Sequence, residues 1–529
     1  MISKLKLKPK TVFSLLLLLA APGPLMLPAA AQSADTQKIL TPWGEVDREA
    51  LLAGRNSQPE SRAMTLDYRN VILMALRKNL DIEIQRFTPK IRESRILFEK
   101  GAFDPVLGFN VTRQVSERPL NRQDFLSTNQ LVEVFNEDNV LAQTSLSGQI
   151  ETGLRYEVVV QSSKLKNSLN VEPLSRFFPE YSTSAALNIS QPLLKNFGRD
   201  YTFAGRRVAE SELKTEKYRL YGAINQIAAE ALSAYVDVIF AQERIRVNQE
   251  TIQLAQQLKE ENQRRLEQGR MAPIDVIQAE SAIAQAQTEL IVSESFLVER
   301  SNVLKNIIFS DFSDQQATVI EPTSALTEDS PPLDRDVLIS KALQSNTDYQ
   351  AALQSAETEE IRLRFAELDR WPRLDLEMSL GYNGLAGSYE DSFEDFDERN
   401  EPDWSVGLVF NMPLGNRQAS ARYSEAQYRQ HQAILTIKQV ENSVVSAMST
   451  AINRVDSSQR RVESSWKNVE FAAAALDAEE RRLVNGVTTS FNVLQLQDEL
   501  SQARIRHLET LVEFNKAIII LHALMGDLP

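Results

Sequence analysis

The sequence predicts a mainly α-helical fold with a smaller set of β-strands of the membrane-spanning kind, arranged as two structural repeats. Three observations support this prediction. The chain repeats its own pattern, its closing helices carry a sustained seven-residue apolar period, and segments between the helices alternate between apolar and polar residues. Glycine and proline are scarce for a chain of 529 residues, which favours long regular elements over loops.

The internal repeat consists of two matching blocks. The block around residues 75–107 recurs at 342–374, an offset of 267, and the block at 264–286 recurs at 481–503, an offset of 217. The smaller second offset indicates that the first repeat carries extra residues in its middle. A repeated sequence pattern predicts a repeated supersecondary unit.

Each repeat is predicted to run through a helix, strands, a long helix, a turn and a closing helix. The first repeat, 65–309, has a helix at 65–100, strands at 106–116, 143–164 and 183–191, and helices at 206–268 and 274–309. The second, 334–526, has a helix at 334–370, strands at 374–383 and 404–411, and helices at 419–485 and 491–525. Residues 32–64 form an N-terminal segment, and 310–333 form a linker because they are rich in Ser, Asp, Pro and Thr.

Residues 1–31 have the three regions of a secretory signal. Four lysines precede an apolar stretch from Val12 to Ala21, and Ala29-Ala30-Ala31 supplies small residues before Gln32. A membrane anchor is the alternative, but the apolar stretch is too short and is followed by prolines. We therefore expect export and cleavage at or near Gln32.

The closing helices carry a heptad. The first has Val276, Ile283, Leu290, Leu297 and Leu304, and the second has Val493, Leu500, His507, Phe514 and Leu521. A sustained seven-residue period predicts coiled-coil packing. His507 interrupts the stripe, and we interpret it as a partly solvated core residue rather than a ligand.

At a rise of about 1.5 Å per residue, the first long helix is about 95 Å in length, which suits the wall of a tube better than a globular bundle.

The predicted strands place their apolar side chains on one face. In the second repeat the lipid-facing set is Leu376, Met378, Leu380, Trp404, Val406, Leu408 and Phe410. Such alternation over about ten residues suits transmembrane strands, although a half-buried soluble sheet has the same pattern. Because the helices already bury their stripes in one another, the membrane interpretation is favoured.

Four to six strands cannot close a bacterial barrel, so subunits must pool their strands. A predicted hairpin within 143–164 turns at Thr152-Gly153. We predict that it joins the barrel, which gives about 18 strands in a trimer; the alternative is a 12-strand barrel with the hairpin outside.

Composition excludes several classes of function. The chain has no cysteine, which removes disulfides, thiolate metal sites, cysteine nucleophiles and a lipid anchor. It has three scattered histidines and no phosphate-binding loop, so we expect no enzyme, no cofactor and no metal site. A net charge of −14 argues against a nucleic-acid partner. The acidic run at 388–403 is interpreted as a solvated external loop, since it lacks the ligand spacing of a calcium site.

Over residues 65–526 the sequence resembles the TolC family of outer-membrane efflux and secretion channels. The resemblance is carried by Pro105 and Pro372 before the first strands, by Gln191-Pro192-Leu193-Leu194, and by the twin turns 265–276 and 482–494. It implies a homotrimer with an α-helical barrel in the periplasm and a shared β-barrel in the outer-membrane lipid of a diderm bacterium. It also implies a passive duct that works with a periplasmic adaptor (membrane fusion) protein and an inner-membrane pump.

The two helical turns are the candidate periplasmic entrance and adaptor contact. The first comprises Gly269, Arg270, Met271, Ala272, Pro273 and Asp275, and the second comprises Gly486, Val487, Thr488, Thr489, Ser490, Asn492 and Gln495. A glycine between two helices adopts φ > 0 at little cost. The residues beyond it are short or polar, which favours tip-to-tip docking over a large apolar interface.

The second turn departs from the pattern that the resemblance implies. A well-studied member of that family places acids six and nine residues after the glycine, where this chain has Asn492 and Gln495. The cation and the tyrosine that lock that member's closed entrance fall on Thr488 and Leu483 here. We therefore predict a mouth held by hydrogen bonds and packing, with one acidic ring from Asp275. A periplasmic scaffold or adaptor without a barrel is the alternative, and the apolar strand faces argue against it.

Overall fold

The computed structural model describes residues 38–41, 44–47, 63–127, 133–168, 176–398 and 402–528. The predicted signal segment lies outside these residues, as does much of the segment at 32–64. The helices are α1 (Tyr68–Lys78), α2 (Leu80–Lys100), α3 (Arg122–Ser127), α4 (Arg199–Thr202), α5 (Ala204–Glu267), α6 (Pro273–Ile308), α7 (Arg335–Ser345), α8 (Thr347–Asp369), α9 (Tyr389–Glu398), α10 (Arg417–Val484) and α11 (Ser490–Met525).

The strands begin with a small hairpin, β1 (Lys38–Thr41) and β2 (Gly44–Asp47), and β3 (Ala63–Leu66). The remainder are β4 (Val106–Pro119), β5 (Val134–Gln149), β6 (Arg155–Leu165), β7 (Glu180–Pro192), β8 (Val319–Pro322), β9 (Arg373–Ala386) and β10 (Asp403–Asn411). The chain divides into two compact units. The first contains the described parts of 93–210 and 357–431, and the second those of 35–92, 211–356 and 432–529.

The sequence predicts one continuous helix at 65–100 and another at 334–370, but the structure has two consecutive helices in each place. The prediction was wrong in missing the single residue that separates the two helices in each repeat. Asn79 ends α1 with extended backbone (φ −68°, ψ 125°), and its Oδ1 accepts hydrogen bonds from the N–H groups of Asp81 (2.9 Å) and Ile82 (3.1 Å). Asn346 takes the same place between α7 and α8, with φ −62° and ψ 122°, and its Oδ1 accepts a hydrogen bond of 3.0 Å from the Tyr349 N–H. Each asparagine therefore ends one helix and caps the next.

The acidic segment interpreted as a loop contains α9, so that interpretation was wrong over residues 389–398. Tyr389, Phe393 and Phe396 are spaced as one face of a helix, and this spacing outweighs the surrounding charge. The ring of Tyr389 lies 4.3 Å from that of Tyr181 on β7, centroid to centroid. The helix is thus packed against the sheet.

In the second unit, the internal repeat is visible in side-chain contacts. The amide of Asn248 on α5 donates to the hydroxyl of Ser293 on α6 at 2.8 Å. At the offset of 217, the hydroxyls of Ser465 on α10 and Thr510 on α11 also lie 2.8 Å apart. Equivalent positions in the two hairpins therefore make equivalent polar contacts within the apolar seam.

The linker between the repeats is fixed to the second unit. Strand β8 pairs in parallel with β3, and the buried hydroxyl of Tyr235 donates to the Leu66 carbonyl at 2.6 Å. Further along, the Asn515 amide donates to the carbonyl of Thr327 (2.9 Å) and accepts from its N–H (3.0 Å).

In the described ranges, no helix has the length and apolar character needed to span a membrane.

Candidate functional site

Six strands of the first unit form one antiparallel sheet in the order β10-β9-β7-β6-β5-β4. The pair formed by β5 and β6, which contains the hairpin expected at 143–164, lies between β7 and β4. The hairpin is therefore an internal part of the sheet. Strand β7 of the first repeat pairs with β9 of the second, which joins the strands of both repeats.

One face of this sheet is apolar across all six strands. The register brings into a single row Leu107, Leu146, Val158, Leu187, Leu380 and Trp404. The other predicted lipid-facing residues, Leu376, Met378, Val406, Leu408 and Phe410, occupy the same face because side chains on a strand alternate. Trp404 and Leu408 are each 66% exposed. A face of this size that is open to water indicates contact with lipid or a partner.

The apolar face is bounded at the end farthest from the helices that lead into β4 and β9. There α9 covers part of the face, where the Thr183 hydroxyl lies 2.9 Å from that of Ser392. On the same face and at the same end, Arg113 of β4 and Asp138 of β5 form an ion pair of 2.8 Å. The exposed apolar belt therefore has a polar margin, as a bilayer-facing belt requires.

The two helical turns that the sequence singled out have the same backbone geometry. Gly269 and Gly486 lie in the left-handed region, with φ of 70° and 72°. In the first turn the Gly269 N–H donates to the Leu266 carbonyl, and the Arg270 N–H donates to the Arg265 carbonyl, both at 2.8 Å. The second turn makes the same two bonds at 3.1 and 3.0 Å. This arrangement ends a helix at a glycine, and it accounts for both residues.

The first turn leads into α6 through a local cap. Pro273 is the first residue of α6, and the Asp275 carboxylate accepts a hydrogen bond of 3.3 Å from the Ala272 N–H. Asp275 therefore has a structural role at the helix N-terminus, where its charge is favourable. Met271 packs against a buried cluster that includes Leu483 and so belongs in part to the interior.

The outer surface of the turns is less polar than expected. Val487 is 66% exposed, and Ile274 and Phe491 are each 54% exposed. The expectation of short or polar residues overlooks Val487 within the second turn and the side chains of Ile274 and Phe491 at the starts of the following helices. Gln495 lies on the exposed side of α11, where its amide donates to Glu499 at 3.1 Å.

A polar cluster forms at the second turn around Glu479. The hydroxyl of Thr488 and the guanidinium of Arg482 both donate to its carboxylate, and the Asn492 amide donates to the Thr488 hydroxyl at 3.0 Å. The Thr488 hydrogen bond and the Arg482 charge hold the pKa of Glu479 below its usual range. The structure thus brings together two of the predicted residues, Thr488 and Asn492, around an acid that the sequence analysis did not select.

A second cluster joins the first helical hairpin (α5 and α6) to the second (α10 and α11). Asn262 on α5 is fully buried, and its amide donates to the Ser490 hydroxyl at 2.6 Å and to the Asp275 carbonyl at 3.2 Å. Beside it, the Arg265 guanidinium donates to the Leu483 carbonyl at 2.9 Å. These contacts hold the two turns of one chain against each other.

Comparison with known proteins identifies the family. Residues 116–308 and 338–527 match the model of the outer membrane efflux protein family. The chain belongs to the outer membrane efflux protein family. No significant match to a curated protein sequence was found.

Solved channels share the fold of this efflux protein. The outer-membrane channel OprN aligns with a TM-score of 0.63 and 14% identity, over 87% of this chain and 90% of that one. VceC from Vibrio cholerae gives 0.61 and 16%, over 87% and 96%. CmeC from Campylobacter jejuni gives 0.59 and 12%, over 87% and 85%.

The predicted resemblance, function and location are thereby confirmed. The protein is a subunit of an outer-membrane efflux channel and not an enzyme. The site residues that sequence reasoning missed in this efflux protein are Asn262, Arg265 and Glu479. One signal could have found two of them: at the offset of 217, Asn262 corresponds to Glu479, so both repeats place a polar residue at the same position in an apolar seam.

Proposed function

We propose that three copies of the chain join their sheets edge to edge in a closed barrel of about 18 strands, with the apolar face toward lipid. The supporting observation is the row of apolar side chains across six strands. The outer two, β4 and β10, each have one edge that pairs with no other strand in the part of the chain that the structure describes. In a bilayer such an edge must be paired, because no water satisfies its backbone groups. In an antiparallel sheet of six strands, β4 and β10 run in opposite directions. Joined copies therefore continue the antiparallel order.

The helical hairpins of the three chains then form the periplasmic tunnel, and the two turns form its entrance. The family implies an adaptor and an inner-membrane pump as partners, and the passive duct carries what the pump delivers. We assign the adaptor contact to the two turns together with the exposed apolar side chains of Ile274, Val487 and Phe491. A periplasmic scaffold is disfavoured, because a scaffold has no use for an exposed apolar sheet face.

Cysteine labelling tests the assignment of the sheet faces. The chain has no cysteine, so each introduced thiol is unique. Val158→Cys and Leu380→Cys should react with a lipid-soluble maleimide in outer membranes and resist a charged, water-soluble one. Gln161→Cys and Asn383→Cys, on the opposite face of the same strands, should show the reverse preference.

Two results would contradict the barrel. One is equal labelling of Val158→Cys and Gln161→Cys by the water-soluble reagent. The other is a mass other than that of three mature chains for the detergent-solubilised complex in native mass spectrometry. The second result would contradict the trimer but not the assignment of the two sheet faces.

The assignment of the turns to the entrance predicts that removing a carboxylate there and adding one there both change how the channel conducts ions. Asp275→Asn should lower the cation preference of the channel in planar bilayers, because it removes one carboxylate per chain. Asn492→Asp should raise block by divalent cations, since it places a carboxylate next to Thr488 and the already ionised Glu479. Gln495→Asn serves as a neutral control. If neither charge change alters selectivity or block, the turns do not line the entrance.

A further inference from the structure

The polar face of the sheet carries a group of charged side chains near the end where the strands meet the helices. One row across the sheet contains Arg155 on β6 and Glu377 on β9, with Ser190 of β7 between them. The next row contains Glu157 of β6 beside Asn188 of β7. Because Arg155 and Glu377 are two strand spacings apart, their backbones are separated by about 10 Å.

These residues line one open groove. It has a volume of about 660 Å³, and its wall includes Asp104, Arg155, Glu157, Asn188 and Glu377. Three carboxylates and one guanidinium therefore face the same space in each chain. Asp375, on the same face, is buried and paired with Arg373, so its charge is already compensated.

Farther along the strands the same face is neutral over two consecutive rows. The first of these rows contains Asn110, Gln143, Gln161, Ser184 and Asn383. The second contains Thr112, Leu141, Ser163, Ser182 and Leu385. These two rows offer hydroxyl, amide and apolar groups, which attract cations and anions about equally. Between them and the groove, the same face carries one more carboxylate, Asp403 of β10, opposite Gly381. Beyond them, it carries Glu137, Glu180 and Arg118.

We propose that Asp104, Glu157 and Glu377, opposed by Arg155, form a charge filter at the inner end of the barrel that favours cations. This inference rests on the proposed barrel, which repeats the groove three times around one lumen. Each chain then contributes two net negative charges to the band. Charges that line a confined, water-filled passage raise the local concentration of the opposite ion, and salt screens this effect.

The filter is tested by reversal potentials of the purified full-length channel in planar bilayers under a KCl gradient. Glu157→Gln with Glu377→Gln leaves Arg155 and Asp104 and should lower the cation-to-anion permeability ratio at least about twofold near 0.1 M salt. Arg155→Gln should raise the ratio. Both shifts should shrink toward zero near 1 M, where the Debye length falls to about 3 Å.

Asp138→Asn is the matched control. It removes one carboxylate from the same sheet but on the opposite face, at the polar margin of the apolar belt, where its partner Arg113 is exposed. Its reversal potential should equal that of the unmodified channel. Shifts of the same sign in the acid and arginine variants, or no shift in either, would overturn the filter while leaving the channel intact. Failure of the unmodified chain to conduct would instead overturn the proposed barrel.

Discussion

Replacing Asn262 by leucine should shift the channel toward a more open entrance. The asparagine amide links α5 to the start of α11 and to the start of α6, so it ties the two hairpins of one chain together. These hairpins are not covalently joined at the turns. If the turns form the entrance as proposed, we expect one hairpin to move relative to the other when it widens. Leucine retains the volume but removes both donors.

The size of this effect follows from the hydrogen bonds lost. Each net hydrogen bond contributes about 1 kcal/mol, and the bond to Ser490 is the one made between hairpins. If three chains open together, about 3 kcal/mol is removed from the closed state, or roughly a 150-fold change in the ratio of open to closed channels. Single-channel recordings in planar bilayers should show longer and larger openings.

A control is available on the same helix. Asn248→Leu removes a buried asparagine from α5 whose bonds to Ser293 and to the Glu289 carbonyl stay within the first hairpin. Its openings should match those of the unmodified channel. Ser490→Ala should open the entrance as Asn262→Leu does, and the double variant should add little, since both remove the same bond. Openings that are equal for Asn248→Leu and Asn262→Leu would show that the link between hairpins has no special role.

The faces of the strands could be predicted from the sequence because side chains on a strand alternate with a period of two. Leu380 and Trp404 fall on the apolar face in the sequence pattern, and the observed register pairs them. The order of the strands could not be predicted in the same way. The pairing of β7 with β9 joins segments about 190 residues apart, and nothing local in either segment specifies it.

The misses have separate physical causes. Asn79 and Asn346 break helices that the apolar pattern continues through, because a single asparagine costs a helix little by propensity and its capping bonds depend on the local backbone. Helix α9 was missed because its acidic residues obscure the spacing of Tyr389, Phe393 and Phe396. Asn262 leaves no mark in the apolar period of its helix, since one buried polar residue leaves the surrounding stripe unchanged; its match to Glu479 at the offset of 217 is the signal that was overlooked.

Leu187→Arg should prevent stable assembly of the barrel. Leu187 lies on β7, in the interior of the sheet, between Val158 and Leu380 on the apolar face. An arginine that faces lipid near the middle of a bilayer costs about 2–4 kcal/mol, and in a trimer this cost arises three times. The expected result is a large loss of the assembled form from outer-membrane fractions and a lower temperature of dissociation for what remains.

Ser184→Arg, on the same strand but on the polar face, distinguishes lipid contact from general damage to β7. Ser184 lies in a neutral row between Gln161 and Asn383, where an arginine remains in water. It should assemble and dissociate like the unmodified protein, as judged by heating followed by gel electrophoresis without prior denaturation. Equal loss in both variants would mean that β7 tolerates arginine on neither side. Normal assembly of Leu187→Arg would show that this face does not meet lipid, and the proposed barrel would then have to be abandoned.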